Sequence, residues 1–380
     1  MDGRNAGIDM ARCLAVALVF LYHAFAGQGS WLGSVCGAGW IGVDLFFVLS
    51  GMLVARGYER IKQQGQGPVF FWRKRAWRIV PAYLVAVGVC TGIACAVLPD
   101  KTKPWRDLLS LLTFTGNHRS LSAGVLWSIS VECQFYALLP LLLGPLALGD
   151  RVRRHPWRWL ACFLVVPAIG RAIACLIQPS LVAQAPQAFG VHGINQSFGS
   201  SVYGSLLLHG DGLLVGLWLG VMDWRAGWAD FASRKRILVA FAGGLVWVLI
   251  WLSPWRTWMP RPIAEGVLGF TIVAVTAGGL LLALARCRLP VNPGIEWISD
   301  RVYSLYLGQA VASTAFLVLP VARLVPSRGI AVAVIYGAIV FIAASVLYRL
   351  VEAPLVRGFR GALALPCRYP RSVMAGNSNT

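Results

Sequence analysis

Apolar residues run along this chain in stretches of about twenty, the length an α-helix needs to cross the hydrocarbon core of a bilayer. Ten such stretches are predicted, at 9–27, 37–57, 79–99, 123–147, 158–177, 204–222, 237–253, 263–285, 302–320 and 329–350, with short polar breaks between them. The pattern therefore reads as all-α, a polytopic integral membrane helical bundle of about ten transmembrane helices. Residues 1–357 are expected to form a single membrane domain, and 358–380 a flexible basic cytoplasmic tail. No internal repeat is visible, so the inverted-repeat signature of many secondary transporters is missing.

Composition agrees with this pattern. Of 380 residues, 57% are hydrophobic and 13% charged, and the mean hydropathy of +0.67 is that of a membrane protein rather than a soluble domain. The formal charge of +19 does not indicate nucleic acid, because the basic residues lie scattered between apolar runs instead of gathering on one soluble face. With the N-terminus inside, they divide about three to one in favour of the cytoplasmic segments, which makes both termini cytoplasmic. The nine cysteines are odd in number, have no CxxC spacing and fall mostly in apolar runs, so they read as free thiols. The five histidines are scattered, and no metal site is expected. The first apolar run lacks a small-residue cleavage site and is expected to stay in place as a signal anchor. The longest predicted outer loop, roughly 178–203, is uncharged and rich in Gln, Ser and Gly; it suits either a neutral polar ligand such as a sugar or a plain solvated connector.

Ionisable residues inside the spans change the picture most, since each is costly there and is a functional candidate by default. Span one carries Arg12 and His23, span two Asp44, span four Glu132, span five Arg171, span six His209 and Asp211, and span eight Glu265. His23 and Asp44 fall at similar depth near the outer ends of their helices, so they are candidates for a hydrogen-bonded pair, the usual arrangement of an oriented general base. For Asp211, Arg171 and Glu265 the reading favoured is a buried pair that fixes helix packing. Arg12 and His23 are eleven residues apart, which places them on one helix face about 16 Å apart along the axis. Arg75 and Arg78, three apart at the start of the third span, align on one face if that stretch is helical. They suit either a polyphosphorylated ligand or anionic lipid and positive-inside topology.

Four stretches in order carry a resemblance: "GIDMARCLAVALVFLYH", in which ten residues separate Arg12 from His23, "GVDLFFVLSGMLV", "FWRKRAWRIVPAY" and "LWSISVECQFYALLPLL". Weaker matches follow in "HGDGLLVGLWLG", "RVYSLYLGQ" and "YRLVEAPL". Together they resemble the integral-membrane acyltransferase-3 family over residues 4–357, a family whose members mostly O-acylate sugars on cell-surface glycans. The resemblance implies a membrane O-acyltransferase, foremost an O-acetyltransferase, in the bacterial cytoplasmic (inner) membrane. Its implied donor substrate is acetyl-CoA or another acyl-CoA taken from the cytoplasm. The implied acceptor is a hydroxyl of a glycan or glycolipid such as an exopolysaccharide or lipopolysaccharide unit.

Carried onto this chain, the resemblance makes Arg12 and His23 essential and assigns Arg75 and Arg78 to the basic pair that follows span two. Ser50 and Gly51 match the family's Ser-Gly, where Gly would allow close approach of a ligand or a helix. Asp44 and Glu132 join the catalytic candidates as groups that could fix the tautomer of His23, and His209 and Asp211 join the substrate-binding candidates. Two departures stand out. A second acid usually follows the one at Glu132, and here Cys133 stands there. Many relatives also carry a C-terminal periplasmic hydrolase-like domain that this sequence does not show, so either the membrane domain suffices or a separate periplasmic transferase acts. The rival function is a proton-coupled transporter or flippase of a glycan or lipid intermediate, because intramembrane His and acids also serve proton relays.

Overall fold

The chain folds into helices throughout the residues that the computed structural model describes, which are 4–25, 31–97, 104–118, 124–177, 202–222, 261–286, 290, 292–318 and 330–364. In order they are α1 (Ala6–Phe25), α2 (Trp31–Cys36), α3 (Ile41–Gln63), α4 (Pro68–Val97), α5 (Pro104–Leu112), α6 (Trp127–Leu143), α7 (Leu148–Arg154), α8 (Pro156–Ile177), α9 (Leu206–His209), α10 (Asp211–Val221), α11 (Arg261–Arg286), α12 (Pro293–Val318), α13 (Ile330–Leu347) and α14 (Ala353–Ala364). A π-turn, Tyr348–Glu352, joins α13 to α14. No strand occurs among the described residues.

Local chemistry explains where several helices begin. Asn5 caps α1, its Oδ1 accepting from the Ile8 N–H at 3.1 Å, and Asn292 caps α12 by accepting from Gly294 and Ile295 at 2.8 and 3.3 Å. Proline occupies the first position of α4, α8 and α12, where its missing N–H costs nothing. The turn between α3 and α4 needs Gly65, whose φ of +72° lies in the left-handed region.

Among the described residues, six helices are long and apolar enough to cross a membrane, or seven if α6 and α7, bent by 73° at their junction, count as one broken span. The other predicted runs differ for stated reasons. The run 204–222 is split at Gly210 into α9 and α10. The run 302–320 falls in α12, which carries Ser304, Gln309, Ser313 and Thr314 and is less apolar than the six. The run 237–253 and most of the loop 178–203 lie outside the described residues. The expected boundary at 357 falls within α14, which runs on to Ala364. The seven cysteines described are all free.

Helix α3 is the centre of the bundle, 78% of its apolar window being buried, whereas α8 and α13 lie at the periphery with 22% and 28%. Its closest partner is α10, and the contact is made through glycine. A Cβ on Gly216 would collide with the Val48 carbonyl, one on Gly51 with the Leu213 carbonyl, and one on Gly220 would come within 2.6 Å of the Met52 carbonyl. Small residues at such spacing let two backbones touch without intervening side chains. Exchanging Gly216 for Leu should therefore lower stability by about 1–3 kcal/mol through overpacking. The check is the melting temperature in detergent, with Gly88→Ala, which adds its methyl to open space inside helix α4, as the variant expected not to lower it.

Candidate functional site

The N-terminal turns of α1 and α12 meet in a charged cluster. Asp9 accepts from the Arg4 Nε at 2.6 Å and from the Ser299 hydroxyl at 2.5 Å, and the Arg12 guanidinium lies 3.5 Å from both Asp9 and Ser299. The Asp9 hydrogen bond, with Asp300 beside it at 3.1 Å, holds the Arg4 guanidinium above its ordinary pKa. A buried carboxylate among two guanidinium groups and a hydroxyl is well satisfied. The cluster fixes one edge of the feature that gathers most of the candidate residues.

That feature is a cavity of about 230 Å³ that brings together Arg12 of α1, Ser50 of α3, Arg75 and Arg78 of α4, and Glu132 of α6. Five of the residues singled out in the sequence thus line one chamber. The helical start of α4 at Pro68 sets Arg75 and Arg78 one turn apart on the same face, as their spacing required. Arg78 is exposed at the mouth, while Arg75 is half-buried, its guanidinium 5.8 Å from the Phe71 ring centroid and 5.9 Å from that of Tyr136. The Nε of Arg75 is buried and has no hydrogen-bond partner among the described residues.

Deeper in, Glu132 accepts from two hydroxyls, Ser50 at 2.8 Å and Tyr136 at 2.7 Å. The chamber continues along α3 from Val54 to Val43, eleven residues or about 16 Å. It closes against Phe46, Ser128 and Tyr306, where the Tyr306 hydroxyl is 2.5 Å from Ser128 and donates to the Val125 carbonyl at 2.9 Å. On the α12 and π-turn side it is lined by Asp300, Tyr303 and Glu352, the last accepting from Ser304 at 2.5 Å.

His23 lies outside this chamber. Gly39, in the 3-10 turn Gly37–Trp40 that leads into α3, packs against Tyr22 of α1, which sets His23 about four residues past Val43. Along α12 it lies beside Gln309, one turn past Tyr306. Arg12 and His23 do share the face turned to α12, the first toward Ser299 and the second toward Gln309. His23 instead lines a separate cavity of about 260 Å³ with Ser313, Phe316 and Tyr336, set apart from the longer chamber that holds the arginines. Its Nδ1 is 2.8 Å from the Val19 carbonyl and must carry the proton of that bond, which makes Nε2 the acceptor nitrogen of the neutral ring.

The expected pairing of His23 with Asp44 is not what the structure contains. Asp44 is fully buried and its Oδ1 is 3.1 Å from Nε2 of His209, whose Nδ1 donates to the Tyr203 carbonyl at 2.7 Å. With a carbonyl on one side and a carboxyl on the other, the His209 ring and Asp44 share one further proton. Trp127 stacks on that ring at 5.8 Å and Phe270 lies 3.9 Å away, sealing the pair. Glu132 does not reach His23 either, being held by Ser50 and Tyr136. Asp211 and Arg171 form a second sealed pair at 2.7 Å, both fully buried, with Thr271 bonded to each. This is the packing role favoured for them. The side chain of Glu265 lies outside the described residues. Gly51 makes the close backbone contact with α10.

Several chamber residues were not singled out in the sequence. Tyr136 stands four residues after Glu132, a spacing that would have found it. Ser299 and Asp300, like Asp9 behind them, sit next to span ends, where polar residues read as ordinary interface chemistry. Glu352 lies in a π-turn, a distortion frequent at functional sites that leaves no simple signal in sequence. Among the described residues no group of His, Cys, Asp or Glu could hold a metal ion.

Comparison with known proteins gives the same picture from another direction. The acyltransferase domain family, acyltransferase-3, matches residues 5–349. The O-acetyltransferase OatA of Staphylococcus aureus (strain NCTC 8325 / PS 47) is 30% identical over 153 residues, 36% of this chain and 24% of that protein. The putative O-acetyltransferase SACOL0978 of Staphylococcus aureus (strain COL) is 28% identical over 171 residues, 39% of this chain and 26% of that protein. The match thus spans about a quarter of the length of these curated relatives. No solved structure matches.

Proposed function

From the premise that this chain belongs to the acyltransferase-3 family, we propose that it is a membrane O-acetyltransferase that moves an acetyl group from cytoplasmic acetyl-CoA to a hydroxyl of a glycan or glycolipid. The observation that carries this reading is the chamber itself, in which Arg12, Arg75 and Arg78 come together at one end of a slot about 16 Å long. Guanidinium groups bind phosphate through paired N–H donors, and the buried, unpartnered Nε of Arg75 is a donor of that kind. The nucleotide and its phosphates lie at the arginine end, with the narrow pantetheine arm along α3. The thioester then reaches the Ser128 and Tyr306 end, one turn short of His23.

The acceptor hydroxyl attacks the thioester carbonyl, Nε2 of His23 takes its proton and returns it to the departing sulfur, and CoA leaves as the thiol. Alternatively, Nε2 attacks first, expelling the CoA thiolate, and then passes the acetyl group to the acceptor hydroxyl, whose proton neutralises that thiolate. Gln309, between Tyr306 and His23, stands where the two cavities approach each other. In this reading Asp44, His209, Arg171 and Asp211 hold the scaffold and do not touch substrate, and Glu132 orients Ser50 and Tyr136 along the arm. The positive-inside bias puts the arginine end in the cytoplasm and His23 toward the outer face of the bacterial inner membrane. OatA, named an O-acetyltransferase, supports the acetyl group as cargo.

The test is purified full chain in liposomes supplied with acetyl-labelled acetyl-CoA on the arginine side and glycan on the other. Label on the glycan is expected. In the Arg75→Ala variant the acetyl-CoA concentration needed for half-maximal labelling should rise about 10- to 100-fold, the worth of one hydrogen bond to a charged group. Movement of unmodified glycan without label would favour the transporter instead and overturn the proposal.

A further inference from the structure

On the outside of the bundle, at the end marked by Arg4, α12 and the end of α13 enclose a groove of about 300 Å³ that is separate from the acyl chamber. Its head is Arg301. The guanidinium carbon of Arg301 is 4.2 Å from the ring centroid of Trp297 and 4.2 Å from that of Tyr348, so both faces of the cation are covered by aromatic rings. One N–H donates to the Trp297 carbonyl at 3.0 Å. A guanidinium sandwiched in this way is held planar and offers a ligand only its edge, the geometry that grips a phosphate through two N–H groups. Arg349, exposed, lines the same groove.

From this cationic head the groove runs along α13 past Val346 to Ile342 and Phe341. Those side chains are 51%, 63% and 53% exposed, and seven residues from Arg349 to Ile342 amount to about 10 Å of apolar wall. Exposed apolar side chains in a helix of this hydropathy face hydrocarbon. Trp297 and Tyr348 at the junction are the residue types that settle at the boundary between headgroup and acyl chain. Two cations, an aromatic collar and then an apolar strip match the order of groups in one molecule: an anionic phosphodiester followed by a fatty chain.

We propose that this groove is a binding site for an anionic glycerophospholipid, its phosphodiester held between Arg301 and Arg349 and an acyl chain laid along Val346, Ile342 and Phe341. The proposal stands independently of the acyl-transfer reading. The charge excludes a preference for zwitterionic lipid, and the apolar wall excludes a free phosphate as the natural occupant.

The full chain, purified in a neutral detergent, is offered equal amounts of phosphatidylglycerol and phosphatidylcholine, and the retained lipid is weighed by native mass spectrometry. Wild type is expected to retain phosphatidylglycerol in preference. Arg301→Ala should weaken that retention about fivefold and the double Arg301→Ala, Arg349→Ala variant about thirtyfold, while Arg301→Lys, which keeps charge but not the planar stack, should fall between wild type and Arg301→Ala. Arg349→Ala removes an exposed side chain and reads the site even if Arg301→Ala folds poorly. Equal retention of the two lipids by wild type, unchanged phosphatidylglycerol in the folded Arg349→Ala variant, or its displacement by inorganic phosphate would each overturn the proposal.

Discussion

Replacing His23 by Ala is expected to lower acetyl transfer by a factor on the order of 10² to 10⁴, the usual worth of a positioned general acid or base, while leaving the protein inserted and folded. The second half of that expectation follows from how little the ring holds together. Its one short bond, to the Val19 carbonyl, lies within its own helix. The ring is half-buried at the edge of a cavity rather than sealed in the core. Labelled product is measured against the amount of monodisperse protein, with acetyl-CoA binding assayed in parallel. Binding should persist, because the arginines proposed to anchor the donor line the other cavity. Transfer at the wild-type rate would remove His23 from the chemistry.

The opposite result is expected in the sealed pair. Asp211→Ala should cost about 3–5 kcal/mol of stability, because it strips the partner from a guanidinium with no access to water. Arg171 also donates to the Val267 and Leu208 carbonyls and to Thr271, so those groups feel the loss as well. The double variant Arg171→Leu, Asp211→Leu should recover part of the deficit, since it removes both buried charges together. Thermal melting in detergent reads both effects, and activity per folded molecule should stay near that of wild type. A double variant as unstable as the single one would mean that the pair's hydrogen bonds to α11, and not its charges, carry the energy.

Why was the chamber legible in the sequence when the partners of Asp44 and His23 were not? Arg12, Arg75 and Arg78 stand out because a guanidinium in or beside an apolar run is expensive and must be accounted for. Ser50 and Glu132 sit in stretches that carry the family resemblance. Depth is also readable, because each residue adds a fixed rise. It is readable only to about a turn: Gly39, just before α3, packs against Leu18 and Tyr22 and Gly42 against Ala15 and Leu18, so Asp44 sits more than a turn deeper than His23. What the rise does not encode is which neighbour a helix face meets. Asp44 looks toward α10, not α1, because Gly212 brings the α10 backbone against α3 at Asp44, and the break at Gly210 lets His209 fold in beside it. Tertiary order of that kind lies in no local pattern. The same limit hid the separation of His23 from the arginine chamber: one stripe on α1 serves two cavities because the α12 side chains facing it change from Ser299 to Gln309.

The glycine contact between α3 and α10 also bears on how a donor enters and leaves. Where backbone touches backbone there is no cushion of side chains to shear, and a slide by even one residue would drive the side chains beside Gly212, Gly216 and Gly220 into the α3 carbonyls. The two helices therefore travel as one strut, carrying Ser50 on one side and the buried Asp44 and His209 pair on the other. Under the proposed function, exchange of spent CoA for fresh donor would fall to the opposite wall, where α4, α6 and α12 line the chamber with hydroxyls, carboxylates and aromatic rings. In kinetic terms, α3 and α10 would then be the fixed jaw of a vise, with the arginines of α4 on the other.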